Sequence, residues 1–382
     1  MENITKPTIS NNSYKESIVF KIFSVVGILF SFLVALKLMS IGFESFGENA
    51  AKNLIRNYTT NPLTGLFIGL FATAITQSSS LTTSIVVGLV GTGQFPNIET
   101  AIPIIIGANI GTSVTSTLVS MGHISNKREF RKAISAATLH DFFNLIVTLV
   151  IFPIQVYTNF LGESAALIYD IFSSDSPTDL SGKSSGFSPI SGSVKYVAKL
   201  IHAICMEKGI ISLLVSFTLL FLSLRYLSKI LKSIFIGGNQ KKFEERVFGN
   251  PFKSMLWGLG LTAAVQSSSV TTSLTVPLVA NGVIRLKKIF PFILGANIGT
   301  TFTALIASLS TPTEAAVTIA LCHLLYNVLG VILFMLIPYL QKLPVYLASG
   351  LGQMTLKRRW YGFAYIIGVF FILPVVLIAL SQ

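Results

Sequence analysis

Residues 74–84 read AITQSSSLTTS, and residues 263–273 read AAVQSSSVTTS. The two stretches lie 189 residues apart, and the similarity extends towards the N-terminus of each, so that positions 61–84 and 250–273 share 13 identities in 24. Similarity at one fixed offset over this length indicates a duplicated segment. The chain therefore contains an internal duplication, and each copy is centred on the polar tetrapeptide Gln-Ser-Ser-Ser.

A second motif is duplicated as faithfully as the first. Residues 103–113 and 291–301 share 8 identities in 11, including the run Gly-Ala-Asn-Ile-Gly-Thr at 107–112 and 295–300. Glycine is a poor helix former, so glycines on both sides of an asparagine predict a helix that is unwound at this point. We therefore expect one broken helix in each copy.

The composition is that of a membrane protein. Hydrophobic residues make up 52% of the 382 residues, charged residues make up 11%, and the mean hydropathy is +0.72. Long apolar runs with few charges are typical of chains that cross a bilayer. The net charge of +13 does not indicate nucleic-acid binding, because the basic residues lie in short loops between apolar runs, where they act as topology signals. Cys205 and Cys322 lie inside apolar runs, so neither a disulfide framework nor a metal site is predicted.

The apolar segments on either side of each Gln-Ser-Ser-Ser are too short to cross a bilayer. They hold about 14 residues, against the roughly 20 that a hydrocarbon core requires. Each pair therefore predicts a re-entrant helical hairpin whose tip, 77–80 or 266–269, lies at membrane depth, which is tolerated only where protein or a water-filled cavity surrounds it. The positive-inside rule places in the cytoplasm the basic loops around residues 127–132, 225–246, 285–288 and 357–359. With these loops inside, the first hairpin enters from outside and the second from inside, so the two repeats are inverted.

The predicted fold is an all-α integral membrane protein: an inverted-repeat secondary transporter with two re-entrant helical hairpins and two broken helices. Duplicated halves of opposite orientation with interrupted segments at matching positions are typical of that class. The predicted parts are a polar N-terminal tail (1–17), a first inverted repeat (18–152), an extracellular linker (153–200), a second inverted repeat (201–340), and a cytoplasmic loop with a terminal span (341–382).

The two tips offer the chemistry of an anion site. Where one half-helix ends and another begins, the new helix presents unpaired backbone N–H groups and the positive end of its dipole. Serine hydroxyls add donors without a fixed charge, which suits binding and release of a small oxyanion. The serines at the tips are Ser78, Ser79, Ser80, Ser267, Ser268 and Ser269.

The ends of the preceding half-helices have the opposite character. Their exposed carbonyl oxygens suit a hard cation such as sodium. Gln77, Gln266, Asn109 and Asn297 add amide oxygens beside them. The sequence therefore predicts that each copy supplies groups for an anion and for a cation.

Other interpretations of these residues have less support. Serine, threonine and glycine also permit close helix packing, but packing alone does not explain two copies of one polar pattern. No Gly-x-Ser-x-Gly elbow surrounds either serine run, so the protein is not expected to be an enzyme.

His140 and His323 are interpreted as structural residues, each bonded to the asparagine one turn later. Asp141 is placed near the cytoplasmic end of its helix and interpreted as a capping or loop-pairing residue.

Three motifs resemble the type II sodium/phosphate cotransporter family. They are the Gln-Ser-Ser-Ser tracts at 77–80 and 266–269, the Gly-Ala-Asn-Ile-Gly-Thr runs at 107–112 and 295–300, and His-Asp-Phe-Phe-Asn at 140–144. The resemblance covers roughly residues 20–340. It implies sodium-driven uptake of inorganic phosphate by alternating access, with both tips meeting at the substrate, in a homodimer of the cell membrane.

On this basis the phosphate site is assigned to the six tip serines together with Asn109 and Asn297. The sodium sites are assigned to Gln77, Gln266, Thr82, Thr83, Thr112, Thr271, Thr272 and Thr300. No cofactor is expected apart from sodium as the coupling ion. The open alternatives are a carrier or exporter of phosphate or another small oxyanion without sodium coupling, and a non-transporting membrane sensor.

Overall fold

The computed structural model describes residues 61–91, 97–174, 189–235, 239–308 and 313–381, with positions 93 and 95 and scattered positions between 23 and 42. All regular secondary structure in these residues is helical. The predicted N-terminal tail lies outside the described residues, and so do parts of the first predicted repeat and of the linker.

In chain order the helices are α1 (Pro62–Thr76), α2 (Ser79–Gly91), α3 (Ile98–Gly111), α4 (Val114–Met121), α5 (Lys127–Thr158), α6 (Phe160–Ser174), α7 (Pro189–Ile204), α8 (Gly209–Phe235), α9 (Asn239–Phe248), α10 (Pro251–Val265), α11 (Ser268–Ala280), α12 (Leu286–Ser308), α13 (Glu314–Leu336), α14 (Pro338–Lys357), α15 (Trp360–Ile367) and α16 (Leu373–Leu380). A π-helical segment, Gly368–Ile372, joins α15 to α16. Helices α1 and α10 have 15 residues each, and α2 and α11 have 13 each, so the element lengths recur with the sequence repeat.

An asparagine followed by proline starts the first helix of each copy. Asn61 Oδ1 accepts a hydrogen bond from the Leu63 amide at 2.9 Å. Asn250 Oδ1 accepts from the Phe252 amide at 2.9 Å and the Lys253 amide at 3.2 Å. Asparagine is a strong N-cap, and the proline after it has no N–H to leave unpaired. The local sequence therefore fixes where each hairpin begins.

The duplicated glycines allow two helices to pack at very short range. A Cβ atom on Gly107 of α3 would overlap the Leu66 carbonyl oxygen of α1, and a Cβ atom on Gly295 of α12 would overlap the Met255 carbonyl oxygen of α10. Only glycine lets backbones approach so closely. The same packing therefore joins α1 to α3 and α10 to α12.

This packing corrects one of the two predicted helix breaks. In the first copy, α3 ends at Gly111 and α4 begins at Val114, so the predicted interruption is present. In the second copy, α12 runs without interruption through residues 295–301. The prediction of a broken helix there is wrong, because the glycines serve contact with α10 and leave the helix hydrogen bonds intact.

Two segments expected to be loops are helical where the structure describes them. Within 153–200, α5 continues to Thr158, and α6 and α7 follow. Helix α6 is held against α13 through buried Leu161, whose carbonyl oxygen accepts from Cys322 Sγ at 3.4 Å. Residues 341–357, expected as a cytoplasmic loop, belong to α14, which packs along α5. Tertiary packing therefore orders segments whose composition resembles that of loops.

Five helical segments among the described residues are long and apolar enough to cross a membrane. They are Ile98–Met121, Lys127–Thr158, Leu286–Ser308, Glu314–Leu336 and Trp360–Leu380. The arms of the two predicted hairpins are shorter, with 15 residues in α1 and α10 and 13 residues in α2 and α11. At 1.5 Å per residue, an arm of 15 residues reaches only about 22 Å, which is less than the roughly 30 Å of a hydrocarbon core.

Candidate functional site

Each tip is a sharp reversal made by one glutamine. Gln77 has φ 55° and Gln266 has φ 56°, in the left-handed region that residues with a side chain seldom adopt. The next helices begin at Ser79 and Ser268. Within the first hairpin, Thr73 Oγ1 donates to Thr82 Oγ1 at 3.0 Å and joins the two arms. The predicted change from one half-helix to the next is confirmed at both tips.

The two tips meet, although 186 residues separate the groups that touch. Ser80 Oγ of the first tip donates to the Gln266 carbonyl oxygen of the second at 3.4 Å. Thr303 of α12 donates to Ser80 Oγ at 3.2 Å. On the other side, Ser269 Oγ donates to the Thr112 carbonyl oxygen at 3.3 Å. The serine runs therefore form one continuous polar seam between the two copies.

The start of each second arm carries its own cap. Ser78 Oγ accepts from the Leu81 amide at 3.2 Å, and Ser267 Oγ accepts from the Val270 amide at 3.4 Å. The helix pattern leaves the first-turn amides before these positions without an intrahelical acceptor. Ser79 and Ser268, which begin the helices, are 4% and 2% exposed. The N-terminal turns of both second arms therefore lie at the seam.

The threonines assigned to sodium use their protons within their own helices. Thr112 donates to the Ala108 carbonyl at 3.0 Å, and Thr300 donates to the Ala296 carbonyl at 3.1 Å. Similar bonds to carbonyl oxygens three or four residues earlier hold Thr82, Thr83, Thr271 and Thr272. A threonine hydroxyl that donates its proton to a backbone carbonyl still has lone pairs on Oγ1. These side chains can therefore still accept a hydrogen bond or coordinate a cation. All six threonines are buried.

Helix α4 supplies seam residues that the sequence analysis did not single out. Thr115 Oγ1 donates to Gln77 Oε1 at 3.1 Å. Ser116 Oγ lies 2.9 Å from Thr272 Oγ1 and 3.3 Å from Ser273 Oγ. The signal available in the sequence is the run Thr-Ser-Thr at 115–117, one residue after Gly-Thr-Ser, which continues the polar seam along α4.

Asn297 does not reach the serines of the seam. Its Oδ1 lies 2.6 Å from His140 Nε2, and its Nδ2 donates to Asn144 Oδ1 at 2.8 Å. His140 Nε2 also lies 3.0 Å from Asn144 Nδ2, so the predicted contact with the asparagine one turn later is present. While Nε2 donates to Asn297 Oδ1 it cannot accept from Asn144, and Asn144 Nδ2 donates to the Asn109 carbonyl oxygen at 2.8 Å. We call His140, Asn144 and Asn297 the first clamp. It joins α5 of one copy to α12 of the other.

Asn109 is likewise turned towards a histidine and an asparagine. Asn109 Oδ1 lies 3.3 Å from His323 Nε2 and accepts from Asn327 Nδ2 at 3.2 Å. Asn109 Nδ2 donates to the Ile105 carbonyl of its own helix at 2.9 Å. We call His323, Asn327 and Asn109 the second clamp. The assignment of Asn109 and Asn297 to phosphate therefore has no support from their contacts, because their amides are bonded to α5 and α13.

Asp141 is fully buried, at 0% exposed, near the middle of α5. The expectation that it caps a helix end is wrong, because α5 begins at Lys127 and continues to Thr158. The hydroxyls of Ser113 and Tyr365 face the carboxylate. Neither carboxylate oxygen nor the Tyr365 hydroxyl makes a hydrogen bond of ordinary geometry within the described residues. The Ser113 hydroxyl donates its hydrogen bond to the Ile110 carbonyl oxygen at 2.9 Å.

A comparison with protein families matches residues 31–165 and 219–357 to the Na+/Pi-cotransporter family. The two matched segments contain both tips, both clamps and Asp141. The chain belongs to the Na+/Pi-cotransporter family. The matched segments end before Trp360, so Tyr365 and the terminal span lie beyond them.

Curated relatives of this cotransporter-family chain are named as sodium-dependent phosphate transport proteins. The chain is 32% identical to sodium-dependent phosphate transport protein 2B of Pongo abelii, over 94% of this chain and 65% of the relative. It is 32% identical to protein 2B of Homo sapiens, over 94% of this chain and 64% of the relative. It is 31% identical to protein 2A of Ovis aries, over 94% of this chain and 67% of the relative. The chain thus spans about two thirds of these relatives' length, and no solved structure gives a significant match.

Proposed function

We propose that this cotransporter-family membrane protein takes up inorganic phosphate by sodium-coupled symport. The observation that carries the proposal is the contact between the two tips, Ser80 Oγ to the Gln266 carbonyl, within a seam of serine and threonine hydroxyls. Relatives named as sodium-dependent phosphate transport proteins support the choice of both ions. A transport function also agrees with a polar seam buried among membrane-spanning helices, where polar groups are costly unless they bind a solute.

The phosphate is proposed to bind between the first turns of α2 and α11. Each of these turns presents backbone N–H groups and the positive end of a helix dipole, and the tip serines add hydroxyl donors. No lysine or arginine occurs within residues 74–84 or 263–273. An anion held only by neutral donors can be released when the site opens, which repeated transport requires.

Sodium is proposed to bind at the ends of α1 and α10, where Gln77 and Gln266 reverse the chain. A helix end exposes carbonyl oxygens, and a hard cation prefers oxygen ligands. The amide oxygens of the two glutamines and the lone pairs of the six assigned threonines complete an oxygen-rich surrounding. Thr115, which donates to Gln77 Oε1, fixes the orientation of one of these amides.

Asp141 is proposed to take part in cation coupling. A buried carboxylate with no cation beside it among the described residues is costly in a membrane protein and marks an ion or proton pathway by default. The groups that face it include the hydroxyls of Ser113 and Tyr365, which offer oxygen ligands to a cation. We infer that a sodium ion neutralises Asp141 during the transport cycle.

The proposed mechanism is alternating access between two inverted repeats. In it, α1–α2 and α10–α11 are re-entrant hairpins that enter from opposite sides, and the seam between the tips is opened to each side in turn. The proposed setting is a homodimer in the cell membrane. Labelling of an introduced cysteine, Glu163→Cys on α6, by an impermeant reagent from outside would support the orientation; protection there would invert it.

Sodium-driven uptake is the direct test of this function. Purified protein in proteoliposomes is expected to accumulate radiolabelled phosphate above equilibrium with an inward sodium gradient, and not with an equal potassium gradient. Equal uptake with both gradients would favour an uncoupled carrier or exporter. Competition by other oxyanions, measured in the same vesicles, tests the choice of phosphate, and absence of any flux would favour a sensor.

The first-turn serines are expected to control phosphate affinity. Ser79→Ala and Ser268→Ala each remove a hydroxyl donor to an anion, an interaction worth about 1.5–3 kcal/mol. Each substitution should therefore raise the phosphate concentration for half-maximal uptake by about tenfold or more. Ser120→Ala is the matched control, since Ser120 is equally buried but bonds within α4, to the Thr117 carbonyl. Unchanged affinity in both tip variants would count against binding at the tips.

The tip glutamines are expected to control sodium dependence. Gln77→Ala and Gln266→Ala remove an amide oxygen from the proposed cation site, so the sodium concentration for half-maximal uptake should rise. Each alanine keeps a Cβ atom at the positive φ that the glutamine already adopts, so the substitution adds no backbone strain of its own. Gln77→Gly and Gln266→Gly remove the amide and also relieve that strain. A raised sodium requirement in both the alanine and the glycine variants would support a lost ligand, and an unchanged requirement in both would count against the amides as sodium ligands.

A further inference from the structure

The first and second clamps are repeats of one contact. Each consists of a histidine and an asparagine one turn apart on one copy, bonded to the asparagine of Gly-Ala-Asn-Ile-Gly-Thr on the other copy. The first clamp joins α5 to α12, and the second joins α13 to α3. Every side chain in both clamps is buried, at 3% exposed or less. The copies are thus cross-linked twice, by groups that are costly to separate in a membrane interior.

The two clamps differ in their geometry. In the first, Asn297 is bonded through both amide atoms, at 2.6 Å and 2.8 Å. In the second, only Asn109 Oδ1 crosses to the other copy, at 3.3 Å and 3.2 Å. Asn327 Oδ1 is buried and has no hydrogen-bond partner among the described residues. The first clamp is therefore tight and the second is loose.

The first clamp holds the helix that touches the first tip. Asn297 and Thr303 lie on the same helix, α12, and Thr303 donates to Ser80 Oγ at 3.2 Å. His140 of the first copy is therefore connected to a tip serine of the same copy, Ser80, through α12 of the second copy.

The second clamp holds a helix that touches the second tip less directly. Asn109 lies three residues before Thr112, whose carbonyl oxygen accepts from Ser269 Oγ at 3.3 Å. The residue equivalent to Thr303 in the first copy is Thr115, and Thr115 bonds to Gln77 and not to Ser269. A tight clamp therefore coincides with a threonine–serine contact at the tip, and a loose clamp coincides with its absence.

We propose that the two clamps are positioning devices that exchange states when the transporter changes its open side. In the state described, the first clamp is tight and α12 holds the first tip. In the opposite state the second clamp is tight, and Thr115 moves to Ser269. The proposal rests on the proposed function, because inverted-repeat transporters interchange the conformations of their two repeats during alternating access. His140 and His323 act through the asparagines and do not contact the transported ions.

Disulfide trapping at equivalent pairs measures this exchange without measuring transport. On a cysteine-free background (Cys205→Ala, Cys322→Ala), one reporter carries Ser80→Cys with Thr303→Cys, and the other carries Ser269→Cys with Thr115→Cys. Disulfide yield in proteoliposomes is then determined by mass spectrometry after proteolysis. His140→Ala is expected to lower the 80–303 yield about fivefold or more and to raise the 115–269 yield, a shift at the low end of known coupling energies. His323→Ala should leave the 80–303 yield unchanged or increase it.

Conservative variants separate positioning from general destabilisation. His140→Gln and His323→Gln keep an N–H donor at a similar reach and should restore the yields of the unsubstituted protein. Should His140→Ala not fold, Asn297→Ser removes the same amide contacts and permits the same comparison. Equal effects of the two histidine substitutions on both reporters would overturn the proposal, and so would no effect on either. An exchange of yields in the reporters, combined with no sodium-driven phosphate uptake by the unsubstituted protein, would retain the clamps and reject the proposed solutes.

Discussion

Gly107→Ala and Gly295→Ala are expected to be the most destabilising substitutions of their size in this protein. Each adds a Cβ atom that overlaps a backbone carbonyl oxygen, that of Leu66 or of Met255. Backbone atoms of a packed helix cannot rotate away as a side chain can, so α3 must separate from α1, or α12 from α10. Overpacking in a core costs about 1–3 kcal/mol, and contact with a rigid backbone belongs at the upper end of that range.

The measurement is the apparent melting temperature of detergent-solubilised protein, followed by size-exclusion chromatography after heating. Gly88→Ala and Gly260→Ala are matched controls, because they are helical glycines where an added Cβ meets nothing within 4 Å. Those two variants should be as stable as the unsubstituted protein or more stable, since alanine is the better helix former by about 1 kcal/mol. If Gly107→Ala and Gly295→Ala had the same apparent melting temperature as the controls, the close packing of α1 on α3 and of α10 on α12 would be refuted.

Asp141→Asn is expected to have the largest effect on coupling while sparing the fold. The substitution replaces a buried carboxylate by a neutral amide of the same shape, which is easier to bury. If Asp141 neutralises one transported sodium ion, the variant loses one positive charge per cycle. At 100 mV, inside negative, that charge contributes about 2.3 kcal/mol, which corresponds to about a 50-fold lower maximal accumulation ratio.

The measurement is phosphate uptake in proteoliposomes against sodium concentration, with and without an imposed potassium diffusion potential. The variant should show a lower Hill coefficient for sodium and a weaker response to the potential. Glu163→Gln is the control, because Glu163 is an exposed acid on α6. Unchanged sodium cooperativity together with an altered pH dependence would instead assign a proton to Asp141.

The sequence alone determined the features that depend on local chemistry. Hydropathy established a membrane protein, and the repeated Gln-Ser-Ser-Ser located two helix reversals, which occur at Gln77 and Gln266. Asn61-Pro62 and Asn250-Pro251 fixed the starts of both hairpins through capping. These features could be predicted because the groups involved are neighbours in the chain.

Only the tertiary structure decided which distant groups meet. From the sequence, Gly295 and Gly299 predict a helix break. In the structure they pack against α10 within an uninterrupted helix. The sequence does not show that Asn109 contacts His323 of α13 or that Asn297 contacts His140 of α5. The burial of Asp141 depends on the helices around α5, among them the terminal span that brings Tyr365 to it. No local pattern encodes such contacts, because they join residues from about 40 to more than 200 positions apart, whose proximity results from the packing of whole helices.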